Sequence, residues 1–271
     1  MTNVDLHHGA ATDVGLVRKI NEDSFLVAPP VFVVADGMGG HSGGDVASQM
    51  VVEEFQRLAD AYDPTRGAEQ VADTFARAQA RIVEFGNAHR ALQPGWHAGT
   101  TAVVAVLVDD NGVAKWLLAN LGDSRIYRII EGRLEQISVD HSVVQELIDA
   151  GRITAEEAAV HPERHVITRA LGSPEGIHPD FFLLPLGSVE RLLLCSDGIS
   201  GMIEDKEIGE ILEGVADPRD AADQLVRAAV AAGGRDNATA IVVDVVGLVK
   251  DATYDSQRQL ESLESKLGGR L

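Results

Sequence analysis

Val31-Phe32-Val33-Val34-Ala35-Asp36-Gly37-Met38-Gly39-Gly40 is the stretch from which the rest of the chain can be read. A short apolar run of this kind predicts a buried strand. The run ends on a carboxylate, and three of the four residues after Asp36 are glycines. A carboxylate at the end of a buried strand is costly unless something pairs with it. Glycine beside it lets the backbone approach that partner closely. The pattern recurs at Leu192-Leu193-Leu194-Cys195-Ser196-Asp197-Gly198. Two apolar strands that each deliver an Asp-Gly step predict that both carboxylates meet at one cation.

Outward from Asp36 the chain alternates between strand and helix patterns. Breaks at Asp13-Val14-Gly15 and Ala28-Pro29-Pro30 predict strands before residue 40. Val46, Met50, Val51, Phe55 and Leu58 recur at helical spacing. A second helix is expected after Asp63-Pro64, with Val71, Phe75, Ala78, Ile82 and Phe85 on one face. Strands are then expected at 100–108, 113–121, 125–130 and 134–138, joined by short turns as an antiparallel meander. Residues 141–165 leave that pattern for short polar helices, opened at Thr154 by a capping box. They read as a surface insert, or flap. A strand at 191–195, helices near 204–213 and 218–232, and a last strand at 238–246 complete the order. After it, Leu260, Leu263 and Leu267 predict an amphipathic helix in a tail of residues 251–271. The expected fold is α+β, a four-layer sandwich of two antiparallel sheets flanked by helices, over residues 1–250.

The 271 residues carry a formal charge of -19, which argues against nucleic acid or an anionic membrane as partner. It also sets a puzzle for an anionic substrate, which needs cations locally. The apolar fraction of 45% is that of a globular protein. A single cysteine, Cys195, allows no intramolecular disulfide and is expected to be a small buried residue. The first eight residues lack a basic region followed by an apolar run, and no apolar stretch is long enough to span a bilayer. A cytoplasmic protein is the expectation.

Several acidic residues share a setting. Asp36 and Asp197 follow apolar strands, Asp123 lies in Gly122-Asp123-Ser124-Arg125, and Asp236 precedes the last strand. Glu22 and Asp23 add two more. Carboxylates suit hard cations such as Mg²⁺ and Mn²⁺, and no Cys/His spacing suits zinc. Two such ions can activate a water and clamp a phosphoryl group. Asp123, read as part of a hairpin turn, is expected to be more exposed than the others.

In order along the chain stand Arg18 to Asp23, Val34-Ala35-Asp36-Gly37-Met38-Gly39-Gly40, Gly99-Thr100-Thr101, Gly122-Asp123-Ser124-Arg125, Asp140-His141-Ser142, Arg169-Ala170-Leu171-Gly172, Cys195-Ser196-Asp197-Gly198 and Arg235-Asp236-Asn237-Ala238-Thr239. The set resembles the metal-dependent serine/threonine phosphatases of the protein phosphatase 2C type, in their bacterial form. The resemblance implies that Asp36 bridges two metals and that the Gly37 carbonyl faces the second. It implies Asp197 and Asp236 on the first metal, with Glu22 and Asp23 serving the second through water. Asp123 would hold a third, weaker ion, and Arg18 would grip the substrate phosphate. The catalytic set so implied is Arg18, Asp36 and Asp197, with Mn²⁺ or Mg²⁺ as cofactor. Substrates would be phosphoproteins made by a serine/threonine kinase, and the enzyme a monomer. Animal members carry a histidine after the Asp-Gly, where this chain has Met38. His41, His161 and His165 are expected to be exposed, with no part in the chemistry. The rival readings are a degenerate, phosphoprotein-binding scaffold and a two-metal nuclease. Retention of Asp36, Asp197 and Asp236 together speaks against the first, and the charge against the second.

Overall fold

A computed structural model describes residues 4–39, 43–93 and 95–246. The chain opens with β1 (Asp5–Asp13), β2 (Asp23–Ala28) and β3 (Val31–Met38), followed by α1 (Gly44–Asp60) and α2 (Gly67–Arg90). Then come β4 (Gly99–Thr100), β5 (Ala102–Asp110), β6 (Val113–Leu121), β7 (Arg125–Ile130) and β8 (Arg133–Gln136). Short helices α3 (Val143–Asp149) and α4 (Ala155–Ala159) precede β9 (Asp180–Pro185) and β10 (Arg191–Cys195). Helices α5 (Asp197–Ser200), α6 (Asp205–Gly214) and α7 (Pro218–Ala231) lead into β11 (Ala238–Val246).

The strands form two antiparallel sheets. One has the order β1-β11-β10-β7-β8, the other β2-β3-β5-β6-β9, with β4 paired to β3. Alternation along each strand makes the layers. Phe32 and Val34 on β3 face inward, where they join Val103, Trp116, Ile126, Leu192, Leu194 and Ile241 in the core between the sheets. Val31, Val33 and Ala35 point the other way, into a core with Val51 and Phe55 of α1 and Val71, Phe75 and Ile82 of α2. On the far side, Leu193, Cys195 and Val242 pack on Ile208 and Leu212 of α6 and Leu225 of α7. The run at Val31 is apolar throughout because both of its faces are covered. The expected four layers are therefore present.

The expected meander is not. β5 and β6 pair with each other, and β7 pairs with β8, but β6 and β7 lie in different sheets. Gly122-Asp123-Ser124 is thus a crossing between sheets, not a hairpin. Gly122 has φ +117°, and a Cβ on it would stand 2.5 Å from the Thr101 side chain. Only glycine permits that close passage. Within residues 100–138 the hairpins turn at Asn111-Gly112 and Glu131-Gly132, all four residues at positive φ.

Residues 141–170 lie outside both sheets. They are closed at the base, where Thr168 N–H donates to the His141 carbonyl at 2.8 Å and Val143 N–H to that of Val166 at 2.9 Å. Thr154 and Glu157 form the expected capping box at α4. Among the described residues, no helix is long and apolar enough to cross a membrane. The amphipathic helix expected in the tail lies outside the described residues, as does His41.

Candidate active site

β3 and β10 bring their Asp-Gly steps to the same end of the sandwich, one from each sheet. There a cleft of about 900 Å³ opens between Arg18, Glu22, Asp36, Gly37, Asp123, Asp197 and Asp236. Asp23 stands behind it, opposite Asp36 in the β2–β3 register and 9% exposed. The structure thus gathers every acidic residue singled out in the sequence around one end of the molecule. Asp123 is half-buried, in the same range as Asp36 and Asp197, and not the open carboxylate of a hairpin tip. A chain that crosses between two packed sheets cannot reach solvent as a hairpin tip does.

Backbone contacts set these carboxylates in place. Asp36 N–H donates to Thr101 Oγ1 at 3.1 Å, and its carbonyl accepts from Thr101 N–H at 2.9 Å and from Thr100 Oγ1 at 2.9 Å. Thr101 Oγ1 lies 2.6 Å from Ser124 Oγ, which ties the Asp123 crossing to β3. Gly37 N–H donates to the Glu22 carbonyl at 3.2 Å. A Cβ on Gly37 would stand 2.6 Å from that same oxygen, so glycine is what lets the two segments touch. Asn237 receives the Glu22 N–H on its Oδ1 at 2.8 Å and donates from Nδ2 to the carbonyls of Val14 and Ile20, each at 3.0 Å. It thereby holds the loop that carries Arg18. Ser196 Oγ donates to Asp23 Oδ2 at 2.7 Å and accepts the Thr239 N–H at 3.0 Å.

Burial dominates the electrostatics. Desolvation pushes Asp23 up to about 7 and Asp123 up to about 7, and it pushes Asp36 well above the usual carboxylate range. Repulsion from neighbouring aspartates adds to each. Asp197 and Glu22 are raised by the same first cause. Asp236 carries an ion pair with Arg18 Nη2 at 2.6 Å. Among the described residues Asp23 Oδ1 is buried with no hydrogen-bond partner. No three His, Cys, Asp or Glu side chains there stand in a metal-holding arrangement. The donors nevertheless fit a hard cation. They are all oxygen, they are desolvated at rest, and one buried lone pair is unused.

The charge puzzle is met locally. Lys19, Arg164, His165 and Arg235 line the same cleft as Arg18. His165 is exposed, as expected, yet it lines the cleft and partly opposes the rise at Asp197. His161 is only partly exposed. Cys195 is buried, and desolvation pushes its thiol up to about 12, which removes it as a nucleophile.

Residues 14–238 match the family described as protein phosphatase 2C. The chain belongs to the protein phosphatase 2C family. That family comprises metal-dependent phosphoprotein phosphatases, which are hydrolases. The serine/threonine protein phosphatase PstP of Mycobacterium tuberculosis is 39% identical over 245 residues, which cover 89% of this chain and 45% of that protein. This chain thus spans less than half the length of that relative. The serine/threonine phosphatase stp of Listeria welshimeri is 36% identical over 252 residues, 88% of this chain and 96% of that protein. Among solved structures, the catalytic domain of the phosphatase PstP in complex with two manganese ions aligns with a TM-score of 0.76 and 34% identity. It covers 90% of this chain and all of that one.

Sequence reasoning quoted Thr101, Ser124, Ser196 and Asn237 within motifs but assigned them no part. Their part is to orient the carboxylates, and an uncharged side chain gives no sign of that before its distant partner is known.

Proposed function

We propose that this chain hydrolyses phosphoserine and phosphothreonine on proteins. The observation that carries the reading is the meeting of Asp36 and Asp197, delivered to one cleft by strands of different sheets. Two divalent cations, Mn²⁺ or Mg²⁺, would supply an activated water and a Lewis acid for the phosphoryl group.

Asp36 would be shared between the two ions. Asp197 and Asp236 would complete the first. The Gly37 carbonyl and, through water, Glu22 and Asp23 would serve the second. Asp123 would hold a third ion more weakly. Arg18 would take the phosphate by a bidentate contact that a lysine cannot copy. Lys19, Arg164 and Arg235 form no ion pair among the described residues and would draw an anionic segment to an otherwise acidic protein. Residues 141–165 would act as a flap over that segment, since Arg164 and His165 reach the cleft from it. Met38 offers no proton, so the leaving alkoxide would take one from water in the cleft. The enzyme would act as a cytoplasmic monomer on the products of a serine/threonine kinase, in line with its single buried cysteine.

Hydrolysis of p-nitrophenyl phosphate and of a phosphothreonine peptide, with Mn²⁺ and then with EDTA, tests the reading. Turnover of both with Mn²⁺ and of neither with EDTA is the expected result. A protein that binds the phosphopeptide but never turns it over is instead the degenerate scaffold.

A further inference from the structure

Asp140-His141-Ser142 and Arg169-Ala170 belong to the motif set, yet the proposed reaction uses neither. In the fold His141 and Arg169 meet at one carboxylate, that of Asp180. His141 is 4% exposed and forms the first foot of the segment 141–170. Its N–H donates to the Gly122 carbonyl at 3.0 Å. In return its Nδ1 lies 3.1 Å from the Gly122 nitrogen. A backbone N–H can only donate, so Nδ1 is the unprotonated nitrogen of the ring. The ring proton therefore sits on Nε2, which faces Asp180 Oδ2 at 3.1 Å.

Asp180 opens β9 and also accepts from Arg169 Nη1 at 3.3 Å. Arg169 Nη1 stands 3.2 Å from His141 Nε2 as well, and in this tautomer that approach is not a hydrogen bond. The His141 carbonyl holds the Thr168 N–H. One buried residue, through its carbonyl and its ring, thus joins both feet of the segment, the start of β9 and Gly122.

The residue after Gly122 is Asp123. On its other side Ser124 is tied through Thr101 to the Asp36 N–H. The carboxylate of Asp123 is therefore slung between two anchors. One leads to β3 and the other to His141. A buried histidine that merely satisfies a turn would need only the first of its nitrogens. Here the second reaches Asp180 and, through it, the other foot of the flap.

We propose that His141 is a positioning residue, whose Nδ1 fixes the Gly122–Asp123 peptide and whose Nε2–H couples that peptide to the base of the flap. The proposal rests on the reading of Asp123 as the ligand of a weak third cation.

Three substitutions dissect the ring. His141→Asn keeps an acceptor at the position of Nδ1 and loses the reach to Asp180. His141→Gln places an amide donor near Asp180 and loses the acceptor for Gly122. Asp180→Ala removes the outer anchor and leaves the Nδ1 acceptor for Gly122 in place. Mn²⁺ titration calorimetry, kcat and KM on a phosphothreonine peptide, and the ¹H–¹⁵N imidazole spectrum of His141 are the readouts. The wild-type spectrum is expected to show the proton on Nε2. His141→Asn should keep the weak Mn²⁺ step and kcat within about threefold. His141→Gln should weaken the step and lower kcat by about tenfold, with KM little changed. Asp180→Ala should weaken the step by about threefold. A proton on Nδ1 overturns the proposal, and so do equal effects of His141→Asn and His141→Gln. If the wild type has no weak Mn²⁺ step, the third-cation reading fails by itself. The spectrum and the order of the variants in kcat then still decide for or against His141. Should His141→Gln not fold, the spectrum and Asp180→Ala carry the test.

Discussion

Arg18 and Asp236, 218 residues apart in sequence, form an ion pair of 2.6 Å across the mouth of the cleft. The guanidinium proposed for the phosphate is here engaged by a carboxylate proposed for a cation. A cation at Asp236 and a phosphate at Arg18 therefore favour the same rearrangement. The pair is partly exposed on both sides, and such pairs are worth up to about 1 kcal/mol. Arg18→Ala should thus tighten the first Mn²⁺ step by about two- to fivefold. The same variant loses its charge-assisted contact with phosphate, about 2 kcal/mol or roughly 30-fold in kcat/KM on a phosphopeptide. Calorimetry and kinetics on one preparation check the opposite signs. Weakening of both would mean that Arg18 helps to build the cation site rather than competing for it.

Asp36→Asn and Asp197→Asn should abolish Mn²⁺-dependent turnover, by about 10³-fold or more, with the fold intact. Each replaces a desolvated carboxyl, which must either hold a proton or bear its neighbours' repulsion, with a neutral amide. Relief of that repulsion should raise the Tm of the metal-free protein by about 2–4 °C. Circular dichroism melts in EDTA measure this directly. Lower Tm values in both variants would show that these carboxylates stabilise the fold, contrary to a role in holding cations.

The architecture was legible wherever one strand explains one apolar run. Val31 to Ala35 and Leu192 to Cys195 are unbroken because both faces of each strand are covered. The helices from Gly44 and Pro218 followed from simple periodicity. β9 was missed because Asp180–Pro185 is a sheet edge that ends in proline after a polar segment. The crossing at Asp123 was misread because a three-residue link looks alike whether it reverses within a sheet or passes between two. The acidic residues announce themselves by charge. Thr101, Asn237 and His141 act through hydrogen bonds to distant segments, which local sequence does not reveal.

The metal-free protein should lose stability as pH rises. Asp23 and Asp123 are raised from 3.8 to about 7 by burial, and Asp36 is raised further. A carboxyl with a raised pKa holds its proton in the folded state after the unfolded chain has released it. Its stabilising contribution is complete below about pH 4 and is lost as pH climbs through about 7. Several neighbouring groups share the effect, so the sum is smaller than separate shifts imply. A loss of about 2 kcal/mol between pH 5 and pH 8 corresponds to roughly 4–8 °C in Tm. Melts in EDTA at the two pH values should show that drop, and saturating Mn²⁺ should abolish it. A Tm in EDTA that does not fall over this interval would falsify the account of the clustered carboxylates.

Asp123→Ala tests the proposed third cation apart from the first two. Asp123 lies in the crossing between sheets, half-buried, and its anchors run to Thr101 on one side and His141 on the other. Asp36, Asp197 and Asp236 come from other elements and would keep their ions without it. Asp123→Ala should therefore leave two Mn²⁺ steps within about threefold of the wild type and delete a third, weaker one. Removal of a desolvated carboxylate should also leave Tm in EDTA unchanged or higher. Met38 supplies no proton to the leaving group, so a cation near the substrate is the best candidate to acidify the water that does. A serine or threonine alkoxide needs that proton, and p-nitrophenolate needs little help. Turnover of the phosphothreonine peptide should fall by about 30-fold or more, and that of p-nitrophenyl phosphate by less than about fivefold. The ratio of the two losses is the decisive quantity. If both substrates slow equally, Asp123 has no part in protonating the leaving group. If the tight pair is lost as well, it belongs to the first two ions and the third has no site of its own.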